Sequence, residues 1–177
     1  MRPDGGTTDL ATLFQLGARV GDRLAARGET VAVAESSAGG LIAAALLARA
    51  GASAYFLGGA VVYTRRARRV LAALSDDDTA GMRSSSPPYA RLLARRQRER
   101  FGATWGLAET GAAGPDGNAY GDPAGHACLA VDGPGRRERT LRTGSSDRHA
   151  NMIAFAAAAL ALLEAAIDDA SGTGAPA

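Results

Sequence analysis

The sequence predicts an α/β protein: a three-layer α/β/α sandwich with a mixed, mainly parallel sheet between two layers of helices. In the first half of the chain, short apolar segments alternate with helical patterns, an order that implies right-handed crossovers and parallel strands. In the second half, Gly125 to Val131 and Glu138 to Leu141 flank a Gly-Pro-Gly turn, which is typical of adjacent antiparallel strands. With 177 residues, 46% of them hydrophobic, the chain is long enough for one domain with a proper core.

Helices are predicted where apolar residues recur at helical spacing or where Ala and Leu dominate. The first follows a cap at Asp9 and ends at Gly28. The last spans about Asp147 to Asp168 and is so rich in alanine that we expect close packing, against the sheet or a second subunit. Both chain ends, residues 1–7 and 171–177, are expected to be flexible. The other helices are predicted at Leu41 to Ala50, at Thr64 to Leu74 and from Pro88 onward.

Composition narrows the class of protein. The formal net charge is only +2, nearly all of the basic residues are arginine, and aromatic residues are few, so nucleic acid is not the expected partner. Cys128 is the single cysteine, which excludes an intrachain disulfide and a metal cage built of thiolates, and we expect it in the core. The sequence has neither a continuous apolar run of membrane-spanning length nor a signal-peptide core, so we expect a soluble cytoplasmic protein.

The segment from Thr30 to Ala45 organises the rest of the chain. A short buried strand, Thr30 to Ala34, is followed by two serines and two glycines and then by a helix. The glycines allow a tight turn, and the unpaired N–H groups at the start of a helix favour an anion. Ser36 and Ser37 are therefore candidate nucleophiles, although either hydroxyl at this position is equally typical of a helix cap.

Two further segments are predicted to end at the same edge of the sheet. The second strand, Ala60 to Tyr63, leads into a helix with four arginines, and ligands of open α/β sheets lie beyond the carboxyl ends of strands. Tyr63 is thus expected to face the same cleft as Ser36, while the arginines fit either a ligand site or a solvated helix face. The third strand, Thr104 to Glu109, runs into a long loop rich in Gly and Pro that favours a binding role. Residues at or near the end of this strand are Glu109, Thr110 and Asp116.

Four segments in order resemble one family, the C-terminal domain of the competence/damage-inducible protein CinA, or nicotinamide-nucleotide amidase. They are Ala-Glu-Ser-Ser-Ala-Gly-Gly-Leu-Ile at 34–42, Ser-Ala-Tyr-Phe-Leu-Gly-Gly-Ala-Val-Val-Tyr at 53–63, Gly-Ala-Ala-Gly-Pro-Asp-Gly at 111–117 and Gly-Ser-Ser-Asp-Arg at 144–148. The resemblance covers nearly the whole chain and implies a stand-alone domain without the larger N-terminal domain of full-length CinA proteins.

The resemblance implies hydrolysis of the carboxamide of nicotinamide mononucleotide to nicotinate mononucleotide and ammonia, without a metal or cofactor. Ser36 falls on the family's nucleophile, Tyr63 on its tyrosine and Arg68 on its lysine. Other departures are Ser37-Ala38 for Cys-Thr, Met152 for a second arginine and Pro87 for a glutamate. The oxyanion is expected on the N–H groups of Gly39 and Gly40, and the phosphate on Arg65, Arg68 or Arg148. Expected substrate contacts are Glu35, Ser37, Gly39, Gly40, Arg65, Thr110, Gly111 and Arg148.

Arg68 leaves the proton acceptor open, because arginine is not deprotonated at working pH. One candidate base is Tyr63, made more acidic by Arg68. The other candidates are Glu109 and Glu35. A second hypothesis is a catalytically impaired relative that binds a nucleotide or regulates. In either case a small nucleotide is the expected partner, and we expect self-association.

Overall fold

The computed structural model describes residues 8–172, so most of the chain ends expected to be flexible lie outside the described residues. Ser171 and Gly172 form the end of the last helix. The elements follow the predicted order. They are α1 Leu10–Arg27, β1 Val31–Glu35, α2 Leu41–Leu47, a 3-10 turn at Ala52–Ala54, β2 Phe56–Val61, α3 Arg65–Leu71, α4 Pro87–Phe101, β3 Trp105–Ala112, β4 His126–Asp132, β5 Arg137–Arg142 and α5 Arg148–Gly172.

The five strands form one sheet in the order β2-β1-β3-β4-β5. Strand β1 is parallel to both of its neighbours, β2 and β3. The pairs β3–β4 and β4–β5 are antiparallel, so β4 alone runs against the other four strands. The predicted mixed, mainly parallel sheet is confirmed. In addition, the carboxyl ends of β1, β2 and β3 meet at one edge, as a ligand site of this fold class requires.

Two cores lie on opposite faces of the sheet because successive side chains of a strand point to opposite sides. Val33 and Leu107 pack in the core shared with α1, α2 and α5. Ala34, Ala108 and Cys128 pack in the core covered by α4. This arrangement confirms both the three layers and the buried position of the single cysteine.

Helix α5 passes a simple test for a membrane span. Among the helices of residues 8–172 it is the one long and apolar enough, over Arg148–Ser171, to cross a bilayer by length and composition. The sequence predicted no apolar run of the roughly 18 residues that a membrane span needs, and α5 corrects this, since it passes by length and composition. Half of its most apolar window is nevertheless buried, and α5 packs against α1 and the sheet, as a core helix of a soluble globular domain does.

Helix caps follow the sequence closely, whereas the bounds of β2 do not. The Asp9 carboxylate accepts from the Thr12 N–H at 2.7 Å, and Gly28 ends α1 with a φ of 62°, which confirms both predicted caps. Strand β2 begins at Phe56 rather than at Ala60. Its glycines sit inside the strand, where a side chain on Gly58 would overlap the ring of Phe101.

Candidate functional site

One cavity of about 310 Å³ opens at the carboxyl ends of the parallel strands. Ser36 follows β1 directly, Tyr63 lies between β2 and α3, and Arg68 lies within α3, and all three line the cavity. The fold thus gathers the three residues expected to share a cleft. Other cavity residues that the sequence analysis had selected are Arg65, Thr110 and Gly111.

The turn that carries Ser36 is held by a carboxylate from β3. One oxygen of Glu109, Oε2, accepts the Ser36 N–H at 3.0 Å and the Ala38 N–H at 2.8 Å. The other oxygen, Oε1, is hydrogen-bonded to the Ser37 hydroxyl. The Ser36 hydroxyl has no hydrogen-bond partner within residues 8–172, so of the two serines it is the one free to meet a ligand in the cavity.

A second carboxylate holds the start of α2. The carboxylate of Glu35 accepts the N–H groups of Gly40 at 2.9 Å, Ile42 at 3.1 Å and Ala43 at 2.9 Å. The N-cap residue of α2 is Gly40, so neither serine caps this helix. Glu35 is fully buried, and its hydrogen bonds hold the start of the helix rather than a ligand. We therefore correct the expectation of a substrate contact from Glu35.

The oxyanion site expected at the two glycines also differs from the structure. The Gly39 N–H donates to the Ser36 carbonyl at 3.1 Å, and the Gly40 N–H donates to Glu35. Both glycines have positive φ, 66° and 100°, which explains why the turn needs them. Their role here is to shape the turn, and an oxyanion has to find donors elsewhere. Ser37 is likewise buried and bonded to Glu109, and it does not line the cavity.

Arg68 forms a fixed cation in the cavity wall. Its side chain is almost fully buried, and its Nη2 donates to Asp76 Oδ1 at 2.7 Å. Its Nε is buried with no partner among the described residues. Tyr89 also lines the cavity, where burial raises the pKa of its phenol and the nearby Arg68 lowers it in part. The chain has 20 arginines and no lysine, so no lysine elsewhere in the sequence can take the place of Arg68.

The arginine that contacts Tyr63 is Arg148. Its Nη2 donates to the Tyr63 hydroxyl at 3.4 Å, while its Nη1 donates to the Gly114 carbonyl at 2.6 Å. Arg68 is instead bonded to Asp76. The sequence predicts Arg68 beside Tyr63, and Arg148 as one of three arginines for the phosphate. The structure therefore gives Arg148 a contact with Tyr63 that the sequence could not reveal.

The two glutamates considered as bases face the turn rather than the cavity. Burial raises the pKa of Glu109, opposed by the hydrogen bonds from Ser37, Ala38 and Ser36 and reinforced by the charge of Glu35. Burial likewise raises the pKa of Glu35. Neither carboxyl lines the cavity, so the geometry does not support either as the direct proton acceptor for Ser36.

Residues from loops and from α4 that were not predicted from the sequence complete the cavity. The long loop after β3 contributes Asn118 and Tyr120, and it is anchored by Asp122, which accepts from Arg83 and from the Asn118 side chain at 2.9 Å. His126 is buried and its Nε2 lies 2.9 Å from the Ser85 carbonyl, a packing role rather than that of a base. The signal available in the sequence was the density of Gly, Pro, Asp and Asn in this loop. The newly identified lining residues are Val62, Thr64, Ser84, Ser85, Tyr89, Asn118 and Tyr120.

A larger cavity of about 450 Å³ lies between α4 and the β4–β5 turn, at the opposite end of the sheet. Its arginines are compensated: Arg91 pairs with Glu138, and Arg136 with Asp132 at 3.1 Å. It contains none of the residues selected from the sequence, so the smaller cavity is the candidate site. Within residues 8–172, no group of three or more His, Cys, Asp or Glu side chains could hold a metal ion.

The chain is similar to proteins of one family. A family model described as the CinA C-terminal domain matches residues 13–167. The CinA-like protein of Anaeromyxobacter dehalogenans (strain 2CP-C) is 41% identical over 145 residues, which are 82% of this chain and 36% of that protein. The CinA-like protein of Anaeromyxobacter sp. (strain Fw109-5) is 39% identical over 153 residues, 86% of this chain and 37% of that protein. The chain thus spans little more than a third of the length of these curated relatives.

Solved structures of similar proteins share the fold. The CinA superfamily protein of Klebsiella pneumoniae 700603 superposes with a TM-score of 0.82 at 28% identity, covering 89% of this chain and 98% of that one. The competence/damage-inducible protein CihA of Agrobacterium tumefaciens superposes with a TM-score of 0.81 at 29% identity, covering 95% of this chain and 99% of that one. Each superposition therefore covers nearly the whole length of this chain and of the solved structure.

Proposed function

Because the chain belongs to the CinA C-terminal domain family, we propose that it is an amidohydrolase that converts the carboxamide of nicotinamide mononucleotide to the carboxylate, releasing ammonia. The observation that carries the proposal is the single cavity lined by Ser36, whose hydroxyl is free, by Tyr63 and by the buried cation Arg68. A nucleophile, a phenol and a fixed positive charge around one cleft are the groups that amide hydrolysis of an anionic substrate needs.

In the proposed reaction the Ser36 oxygen attacks the amide carbon and forms a tetrahedral intermediate. The serine proton passes through the Tyr63 hydroxyl to the departing nitrogen, which leaves as ammonia. Water then attacks the resulting ester, and the same route returns a proton to Ser36 as the acid leaves. We assign the proton transfer to Tyr63 because an arginine side chain does not serve as a base and the two glutamates do not line the cavity.

The charged part of the substrate is assigned to the arginines of the site. Arg65 lines the cavity at the start of α3, and Arg68 adds a second positive charge in the wall. Arginine suits phosphate because its planar group offers several donors in a fixed fork. We propose that the phosphate binds Arg65 and Arg68, and that Arg148 contacts Tyr63 instead of the phosphate. Thr110 and Gly111 at the end of β3 are the proposed contacts for the rest of the nucleotide.

An ammonia-release assay tests the proposal. Purified protein and its Ser36→Ala variant are incubated with nicotinamide mononucleotide, and ammonia is followed beside binding measured by calorimetry. We expect turnover in the parent protein and none in the variant, with binding retained in both. Equal turnover in the two proteins would remove Ser36 from the mechanism.

A second candidate function is binding or regulation without catalysis, favoured by one observation: arginine stands where the family has its lysine, and the chain contains no lysine at all. Saturable binding of nicotinamide mononucleotide without ammonia release in either protein would support this candidate. We also propose, from family resemblance and the alanine-rich α5, that the protein self-associates, and that it acts on nucleotides in the cytoplasm.

A further inference from the structure

The carboxyl group of Glu109 is built into the turn that carries the reacting serine. Its three hydrogen-bond partners are consecutive residues, Ser36, Ser37 and Ala38. One of them is the backbone N–H of Ser36 itself, so the carboxyl group fixes the residue whose hydroxyl faces the cavity. Glu109 is fully buried, and it reaches the turn from β3, the strand whose next two residues line the cavity.

The division of these hydrogen bonds between the two oxygens is informative. Oε2 takes both backbone N–H groups and can only be an acceptor. Oε1 meets only the Ser37 hydroxyl, which can donate or accept. A neutral group with one acceptor atom and one donor atom therefore satisfies all three partners as well as a carboxylate does.

Glu35 provides an internal comparison. It is equally buried, lies beside the same turn and also holds three groups, but all three are backbone N–H groups of Gly40, Ile42 and Ala43, and they occupy both oxygens. Glu35 therefore needs two acceptor oxygens, and none of its partners belongs to Ser36.

We propose that Glu109 is a positioning residue that holds Ser36 at the cavity through hydrogen bonds to the turn, and that it needs neither a charge nor proton transfer to do so. The proposal rests on the proposed function only in taking Ser36 as the reacting residue. It removes Glu109 from the list of bases and gives β3 two tasks, to line the cavity and to hold the nucleophile.

Glutamine separates a positioning residue from a base. In Glu109→Gln the amide oxygen can take the two N–H groups and the amide nitrogen can donate to Ser37, whereas a base would be lost. We expect Glu109→Ala to lower kcat for nicotinamide mononucleotide by about a hundredfold with KM little changed, and Glu109→Gln to restore most of it. The control is Glu35→Gln, which should lower the melting temperature but leave kcat close to that of the parent protein. A glutamine variant as inactive as the alanine variant would overturn the proposal.

A second readout does not need turnover. A thiol placed at the nucleophile position by Ser36→Cys can be alkylated with iodoacetamide, while buried Cys128 should react slowly because burial raises the pKa of its thiol. We expect the alkylation rate to be alike with Glu or Gln at position 109 and to change several-fold with Ala. Equal rates in all three would overturn the proposal.

The two failures are distinguishable. The alkylation rates could be alike with Glu and Gln at position 109 and different with Ala in a protein that releases no ammonia. That result would contradict the proposed amidase and leave the positioning role of Glu109 standing. If Glu109→Ala does not fold, Ser37→Ala removes one of the three hydrogen-bond partners at a smaller cost. In the Ser36→Cys protein we then expect Ser37→Ala to change the alkylation rate, and an unchanged rate would overturn the proposal.

Discussion

At the scale of single residues, the chemistry of the cavity depends on which group accepts the serine proton. In the proposal Arg68 takes the position of the family's lysine, but a guanidinium does not serve as a base, and that of Arg68 is bonded to Asp76. A lysine in the same buried place would have its pKa lowered by burial and could act as an amine base. The side chain of Arg68 is therefore the residue at which a single exchange tests the catalytic arrangement.

We expect Arg68→Lys to raise kcat for nicotinamide mononucleotide by about tenfold or more, because a general base of suitable pKa contributes at least that much. Ammonia release by the two proteins at equal concentration measures the effect. Arg69→Lys is the matched control, since Arg69 lies next in the same helix, is exposed and binds the same Asp76, yet does not line the cavity. No gain in a folded Arg68→Lys protein would argue against Arg68 lying at the family's catalytic position.

Tyr63 is the second residue whose role can be isolated. Tyr63→Phe keeps the ring and removes the hydroxyl that Arg148 contacts. We expect kcat to fall by about a hundredfold or more, the usual contribution of a positioned proton-transfer group. As a control, Tyr55→Phe removes a phenol hydroxyl that donates to the Leu46 carbonyl in the core beneath α1, α2 and α5. This change should alter stability without a comparable loss of kcat. Retention of activity in Tyr63→Phe would require another carrier for the proton.

At the scale of elements, α2 is held at its start by Glu35 and in its second half by α1. A side chain on Gly17 of α1 would overlap the backbone carbonyl of Ala45 in α2, so the two helices touch at this glycine. Alanine favours helices over glycine by about 1 kcal/mol, but an overlap with backbone costs about 1–3 kcal/mol, so the overlap should dominate.

We therefore expect Gly17→Ala to lower the free energy of unfolding, measured by urea denaturation. Gln15→Ala on the exposed side of the same helix should leave it nearly unchanged. A stabilised Gly17→Ala protein would show that the two helices can move apart at little cost.

The element order could be predicted from sequence because its signals are local. The Asp9 cap, the Gly28 end and the alternation of apolar segments each depend on residues close in the chain. The same locality explains the errors. Gly58 and Gly59 suggested a loop, yet they lie within β2 because Phe101, from α4, packs close to Gly58.

The candidate site shows the same limit. Ser36, Tyr63 and Arg68 were found because strand ends and a family pattern mark them. The bonds from Glu109 to a turn 71–73 residues earlier in the chain have no local signal. The glycines of that turn predict an anion site because the N–H groups at a helix start are usually free, but here Glu35 accepts those of Gly40, Ile42 and Ala43.

At the scale of the whole molecule, two fully buried carboxyl groups beside one turn affect how stability depends on pH. Burial raises the pKa of both Glu35 and Glu109 above the ordinary glutamate value of 4.5. Between 4.5 and the higher value in the folded protein, the folded state binds more protons than the unfolded state. The stabilisation from these protons is complete below pH 4.5 and is lost as the pH rises through the folded pKa.

The Glu109→Gln variant isolates this effect because glutamine does not titrate at this position. Groups with lowered pKa, such as Asp122 beside Arg83, act in the opposite direction but are common to both proteins. We expect the free energy of unfolding of the parent protein, minus that of Glu109→Gln, to decrease steadily as the pH is raised above 4.5. Urea denaturation of both proteins at a series of pH values measures this difference. A difference that rises with pH would mean that the three hydrogen bonds outweigh burial, and that Glu109 holds the serine turn as a charged carboxylate rather than as a neutral acid.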